Sequence, residues 1–252
     1  MSIALSGYTA YFDASKDLDT MLVAGYVSTV EEWAQFEIAW KLTLAKFNVR
    51  YFHMKEFTAK RGPFKHPKWE SESYRAAFLS DLAQIIRGWT VASVCSSMQQ
   101  RLFDEFDKTY KLRERFNAYS ICGRDCDAHV QRFVRNDVKS DLPIAYIFDQ
   151  GDTGHGKLMK EMEASGLPSP IFKRSKPNPS LDKDDPFHVQ LQACDFSAWE
   201  LRRGDRDFEA GKRAAAFRTS LRVLAAVKHR IWKETRRRDL EGLIQVAKVE
   251  RR

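Results

Sequence analysis

Residues 8–13 and 144–149 read YTAYFD and IAYIFD, and these two stretches decide the fold class. Both are rich in aromatic or β-branched residues, and both end in an aspartate. Short, nearly continuous apolar runs of this kind are typical of strands that are buried on both faces of a sheet. The pattern predicts two sheet strands, with Asp13 and Asp149 at the strand ends, where open α/β sheets place their ligands.

Helical spacing of apolar residues alternates with the strand candidates along the chain. Helical patterns cover residues 29–48, 71–87, 116–134 and 185–203, and further strand candidates lie at residues 21–27, 49–52 and 89–95. This alternation predicts an α/β domain with a mixed sheet of about five strands flanked by helices, in which the strand at residues 8–13 is central. We assign residues 1–204 to this domain and residues 205–252 to a basic helical extension packed on it.

The composition favours a globular protein with a sizeable core. Of the 252 residues, 43% are hydrophobic and 30% charged, and the mean hydropathy is −0.50. No apolar run approaches the roughly 20 residues of a membrane helix. The start of the chain lacks the basic and apolar regions of a signal peptide. We therefore expect a cytoplasmic protein with no membrane partner.

Four cysteines are too few for a disulfide scaffold, so reduced thiols are expected. Cys122, Cys126 and His129 would share a helix face, which could suggest zinc. The same face continues through Tyr119 and Phe133, and such a stripe is typical of a core-facing helix.

The positive charge is concentrated at the end of the chain. The net charge is +8, and residues 201–252 hold 16 lysines and arginines against 7 acids, or +9. Basic segments attract polyanions, which predicts a nucleic-acid partner, DNA or RNA. Arg236, Arg237 and Arg238 are the candidate substrate-binding residues, although a solvated helix face gives the same pattern.

A third aspartate lies within an apolar helix. Residues 189–199 read VQLQACDFSAW, which is apolar on nearly every face and predicts burial. An unpaired carboxylate there costs several kcal/mol or becomes protonated. Asp195 therefore needs a cation, a hydrogen-bond network or a metal, and a structural role satisfied by backbone or arginine remains open. His188 and Gln192 lie on the same side of this helix.

Two further segments carry candidate chemistry. His53 and Glu56 would point the same way on a helical turn but not on a strand, so their spacing is weak support for ligation. Residues 151–157, GDTGHGK, match the phosphate-binding pattern G-x-x-x-x-G-K, but Leu158 follows where a triphosphatase needs serine or threonine. Lys157 could still meet a substrate phosphate at a helix N-terminus.

Four of these segments together resemble a known family. FDAS at residues 12–15, HMKE at 53–56, IFD at 147–149 and LQACDF at 191–196 are similar, in order and spacing, to motifs of the bacterial domain of unknown function 3800. The last motif is the most specific. Ala14 departs from the family, which usually has an acid there, and Cys194 stands where alanine is usual.

The resemblance implies a ribonuclease-H-like fold whose acids bind metal. Asp13, Asp149 and Asp195 would then hold one or two Mg²⁺ or Mn²⁺ ions through hard oxygen ligands, with Glu56 as a fourth ligand or orienting water. Such a site predicts a nuclease or other phosphodiesterase. The alternative is a catalytically silent module with the same fold that binds nucleic acid or protein. A silent module has no reason to gather acids that repel one another.

Overall fold

The computed structural model describes residues 7–177, 187–209, 223–224 and 226–249. Its centre is one mixed sheet with the strand order β5-β4-β1-β2-β3-β6. The strands are β1 (Tyr8–Lys16), β2 (Thr20–Thr29), β3 (Ala92–Gln99), β4 (Ile144–Asp149), β5 (Ile171–Lys173) and β6 (His229–Thr235). The first three form an antiparallel meander, whereas β4, β5 and β6 join the sheet through parallel pairs.

Helices cover both faces of this sheet. The described helices are α1 (Val30–Lys46), α2 (Met54–Thr58), α3 (Glu72–Trp89), α4 (Gln100–Tyr110), α5 (Ala118–Arg132), α6 (His155–Ala164), α7 (Val189–Glu209) and α8 (Arg237–Val249). None of the helices in the described part of the chain is both long and apolar enough to cross a membrane.

The alternation of side chains along β1 separates two cores. Ala10 and Phe12 point into a core formed with α4, α5, α6 and α8. Tyr11 points into the other core, formed with α1, α2, α3 and α7. Because successive side chains of a strand face opposite ways, Asp13 lies on the α7 side. The four cysteines are buried free thiols, as expected.

Parallel pairing of β1 with β4 fixes the position of two candidate residues. Phe12 is registered with Phe148, so Asp13 and Asp149 come next at the same edge of the sheet. Neighbouring strands lie about 4.8 Å apart, which brings these two aspartates side by side. The α/β class and the interior position of the first strand are thus confirmed.

The sheet has six strands, close to the predicted number of about five, and residues 229–235 form one of them, β6. Helix was predicted throughout this basic region, and that prediction is wrong for these residues. Parallel pairing with β3 and an ion pair of 3.0 Å between Lys233 Nζ and Asp125 Oδ2 of α5 hold β6 in the sheet. The side chains alternate in exposure, as expected for an edge strand.

Two further boundaries differ from the sequence predictions. Residues 49–52 form no strand, because the Phe52 amide donates to the side chain of Gln192 rather than to a neighbouring strand. Helix α7 continues past Gly204 to Glu209, although the glycine was expected to end it. The helix start predicted at Asp185 and Pro186 lies outside the described residues.

Candidate metal-binding site

Asp149 ends β4 and has both carboxylate oxygens occupied by backbone amides. Gly151 N donates to Oδ1 at 2.6 Å, and Ser175 N donates to Oδ2 at 3.1 Å. A Cβ at position 151 would lie 2.8 Å from the same Oδ1, so glycine permits the close approach of this turn. Asp13, on the neighbouring strand, accepts from the amide of Ala14 at 2.9 Å. Backbone amides therefore hold both carboxylates in place.

Asp195 reaches the same region from α7. Its Oδ2 accepts a hydrogen bond of 2.6 Å from the amide of Met54, at the start of α2. Helix α7 packs on β1, and Cys194 Sγ donates to Tyr11 O at 3.1 Å. This part of α7 is buried, as predicted. Asp195 itself is half-buried and hydrogen-bonded.

A fourth carboxylate, Asp152, was not among the predicted site residues. It lies in the turn after β4, half-buried, and Oδ2 has no hydrogen-bond partner within the described residues. The Ala14 amide, which donates to Asp13, also forms a hydrogen bond with Asp152. An aspartate in a turn is usually a turn former, so the sequence offered no signal for this residue.

The four aspartates interact electrostatically. Burial raises the pKa of Asp13 well above its ordinary value, and the charges of Asp152, Asp195 and Asp149 raise it further. Burial and the charge of Asp149 raise the pKa of Asp152 to about 7, although Ala14 opposes the shift. Raised pKa values of this kind indicate that the protein does not neutralise the negative charge of the cluster.

Asp195 is partly compensated by cations. Burial raises its pKa and the charge of Asp149 adds to the rise, while His53 and Lys176 oppose it. Lys176 Nζ also donates to Glu56 Oε1 at 2.9 Å. The charge of Lys176 therefore acts on both Glu56 and Asp195.

Glu56 belongs to this neighbourhood but is not one of the mutually repelling acids. Burial tends to raise its pKa, but hydrogen bonds from Tyr51 and Lys176 outweigh burial and lower it. The segment forms a helical turn rather than a strand, so His53 and Glu56 point the same way, and His53 Nδ1 lies 3.9 Å from Glu56 Oε1. Glu56 remains ionised and orients its neighbours.

Gln192 connects the elements that surround the site. Its Oε1 accepts from Trp40 Nε1 and from Phe52 N, both at 3.0 Å. Its Nε2 donates to Ser175 O at 2.7 Å, and the amide of Ser175 binds Asp149. One buried amide side chain thus ties α7 to α1, to the chain before α2 and to the segment after β5.

The predicted substrate-binding residues lie outside this cluster. The Lys157 ammonium donates to Phe116 O at 3.0 Å and to Arg113 O, and its predicted phosphate contact stays a prediction. Arg237 pairs with Glu105 at 2.5 Å and covers the Phe106 ring.

Arg236 and Arg238 follow β6. Arg236 Nε lies 3.5 Å from Glu234 Oε2. Because β6, β3, β4 and β1 run the same way, this end of β6 is at the sheet edge of Asp13, but strands β2 and β3 intervene. No contact brings either arginine to the carboxylates within the described residues.

The donor chemistry of the cluster fits a hard divalent cation. Within the described ranges, no set of three or more His, Cys, Asp and Glu side chains is placed to hold a metal ion. Backbone amides occupy carboxylate oxygens of Asp13, Asp149 and Asp195. The uncompensated charge and the unpartnered Oδ2 of Asp152 are what a cation would satisfy.

The fold and these carboxylates define an α/β protein with an acidic cluster at the carboxyl ends of its parallel strands. Comparison of the chain with protein-family models, with curated proteins and with solved structures gave no match. The resemblance to the domain of unknown function 3800 therefore stays a prediction.

Proposed function

We propose that the protein is a divalent-metal-dependent phosphodiesterase that hydrolyses nucleic acid in the cytoplasm, with Mg²⁺ or Mn²⁺ as cofactor. The observation that carries this proposal is the cluster of Asp13, Asp149, Asp152 and Asp195, in which neighbouring negative charges raise the pKa values of Asp13, Asp152 and Asp195. Gathering like charges costs stability, and a functional cation is the common reason for accepting that cost.

Each aspartate has a separate part in holding the cation. Asp13 and Asp149 would bind it from the sheet, Asp195 from α7 and Asp152 from the turn above β4. A bound divalent cation supplies the positive charge that stabilises an in-line attack on a phosphodiester. The amides of Gly151, Met54 and Ser175 keep the carboxylates oriented. Glu56 acts on the site through Lys176, which it positions beside Asp195.

The positions of these acids support a ribonuclease-H-like fold. In that fold the first acid is on the first strand, another on a central strand and the last on a late helix. Asp13, Asp149 and Asp195 occupy β1, the end of β4 and α7. This agreement, together with the sequence motifs, is the basis for proposing the fold family.

A second candidate function is a catalytically silent module that binds nucleic acid or protein. The observation in its favour is that no metal-holding set of side chains is assembled within the described part of the chain. In that case the mutual repulsion of the aspartates would have no compensating function.

A cleavage assay with a panel of DNA and RNA substrates separates the two. The phosphodiesterase should cleave at least one substrate with Mg²⁺ or Mn²⁺ and none with EDTA, and Asp13→Asn or Asp149→Asn should abolish cleavage. Asp141→Asn is the matched control, because Asp141 is exposed and its carboxylate pairs with Arg135 rather than with the cluster. No cleavage of any substrate, together with no Mn²⁺ binding by calorimetry, would favour the silent module.

A further inference from the structure

A groove opens beside α2, next to the acidic cluster. Its volume is about 560 Å³, and Asn48, Arg50, Tyr51 and Gly62 are among the residues that line it. Gly62 has a φ of +58°, and a Cβ there would lie 2.3 Å from Glu56 Oε2. Because any side chain at this position would be strained and would meet Glu56, glycine lets Glu56 approach the groove wall closely.

Tyr51 connects the groove to the carboxylates. Its hydroxyl donates to Glu56 Oε2 at 2.7 Å, and Lys176 binds the other oxygen of Glu56 at 2.9 Å. The charge of Lys176 in turn lowers the pKa of Asp195, against the effect of burial. Met54, three residues after Tyr51, donates to Asp195 Oδ2 at 2.6 Å, so the groove lies close to the acidic cluster.

The chain segments that contain the groove's lining residues are strongly basic. Residues 48–68 contain six lysines and arginines and a single acid, Glu56. Among them, Lys60 pairs with Glu70, and Lys68 donates to the carbonyl of Phe47 at 2.8 Å. The exposed side chains include Lys55, Arg61 and Lys65. Exposed basic residues beside the acidic cluster attract a polyanion towards carboxylates that would otherwise repel it.

We propose that this groove binds the single-stranded segment of the nucleic-acid substrate that flanks the cleaved phosphodiester. This inference rests on the proposed function. Arg61 and Lys65 would contact backbone phosphates, and the ring of Tyr51 would stack on a base. The site is therefore assigned to residues 48–65, not to the arginines after β6, of which Arg237 is already paired with Glu105.

Binding of a fluorescent single-stranded oligonucleotide of about 16 nucleotides, measured by anisotropy in EDTA, tests the groove without any reaction. The double variant Arg61→Glu/Lys65→Glu should weaken binding about tenfold or more and make the salt dependence shallower. The matched control Arg101→Glu/Lys108→Glu has the same change in charge on exposed residues of α4. It should weaken binding less than about twofold if the groove is the site.

Two substitutions of Tyr51 distinguish base stacking by its ring from the hydrogen bond of its hydroxyl to Glu56. Tyr51→Phe keeps the ring and loses the hydrogen bond, so affinity should stay within about twofold of the wild type. Tyr51→Ala removes the ring and should weaken binding about five- to tenfold, as expected for one stacked base. Equal affinity of the Ala and Phe variants would contradict stacking on Tyr51. Circular dichroism of each variant confirms that the fold is intact.

The outcomes test nucleic-acid binding by the groove separately from the proposed phosphodiesterase activity. Asp13→Asn should bind the oligonucleotide at least as tightly as the wild type, because it removes a negative charge and leaves the groove unchanged. Equal weakening by the groove and α4 double variants, or no weakening by either, would overturn the groove while cleavage could still depend on Asp13. Groove-dependent binding without cleavage by the wild type under any metal would support the groove and reject the phosphodiesterase.

Discussion

The amide of Met54 donates a 2.6 Å hydrogen bond to Asp195 Oδ2, and so joins two residues that are 141 positions apart in the sequence. Met54 begins α2, which carries Glu56, and Asp195 lies on α7, which packs on β1. This contact sets the position of the acidic cluster relative to the groove. The stability of the protein should therefore respond to changes at Asp195 in a specific way.

Asp195→Ala should lower the free energy of unfolding, whereas Asp195→Asn should not. The asparagine oxygen can still accept from Met54 N, and removing a charge from a repelling cluster keeps the free energy of unfolding equal or raises it slightly. The alanine leaves the buried amide of Met54 without an acceptor, which costs about 1–3 kcal/mol. Urea unfolding without metal measures both. Equal destabilisation by the two changes would contradict this contact.

Gln192→Leu should destabilise the protein by about 2–4 kcal/mol, because the indole of Trp40 and the amide of Phe52 both lose their acceptor. Gln35→Leu is the control, since Gln35 is exposed on α1. Thermal unfolding compares the two variants. A loss for Gln192→Leu no larger than that of the control would show that these hydrogen bonds do not form.

Asp13 and Asp149 could be predicted from the sequence because each ends an apolar run that forms a strand. Their meeting follows from parallel pairing, in which strand ends share an edge. Asp195 could be predicted because its helix is apolar all round. The α/β class followed from the alternation of periodicities. These features depend on local patterns that a single sequence contains.

Asp152, Gln192 and β6 depend on long-range contacts and were missed. Asp152 joins the cluster through the path of a turn, and Gln192 acquires its role from three distant elements. Strand β6 has basic residues on its exposed edge, and its Trp232 is 54% exposed, so its sequence resembles the basic helices around it. The substrate contacts of Arg236, Arg237 and Arg238 stay a prediction, because composition shows excess charge but not which charges are paired.

The pH dependence of stability should have a contribution from Asp127 of α5, which is fully buried. Neither carboxylate oxygen has a hydrogen-bond partner within the described residues, and burial raises its pKa well above the ordinary value. The folded protein then binds more protons at Asp127 than the unfolded chain. Stability from this group therefore falls as pH rises above about 4, towards the folded pKa.

Asp127→Asn should remove this loss of stability at higher pH, because asparagine does not ionise. Its free energy of unfolding should exceed that of the wild type at about pH 8, by about 1.4 kcal/mol for each unit by which the pKa is raised, and the difference should shrink towards about pH 4. Denaturant unfolding across this range measures it, with Asp141→Asn as the exposed control. A difference between Asp127→Asn and wild type that does not vary with pH would contradict the buried charge.

Gly25→Ala tests the pairing of β1 with β2. A Cβ at Gly25 would lie 1.9 Å from Tyr11 O and 2.5 Å from the Phe12 ring, so the strand that carries Asp13 would have to shift. We expect a loss of more than about 3 kcal/mol. Gly88→Ala in α3 has open space around its Cβ and should be neutral or stabilising by up to about 1 kcal/mol. Similar thermal stability of the two variants would reject the register.

The most direct test of the central claim is the anomalous scattering of crystals soaked in Mn²⁺. A metal site at the four aspartates predicts an anomalous peak about 2.1 Å from carboxylate oxygens of Asp13 and Asp149, with Asp195 or Asp152 completing the shell. The peak should disappear in Asp13→Asn crystals. Well-ordered carboxylates with no peak near them at saturating Mn²⁺ would contradict the account.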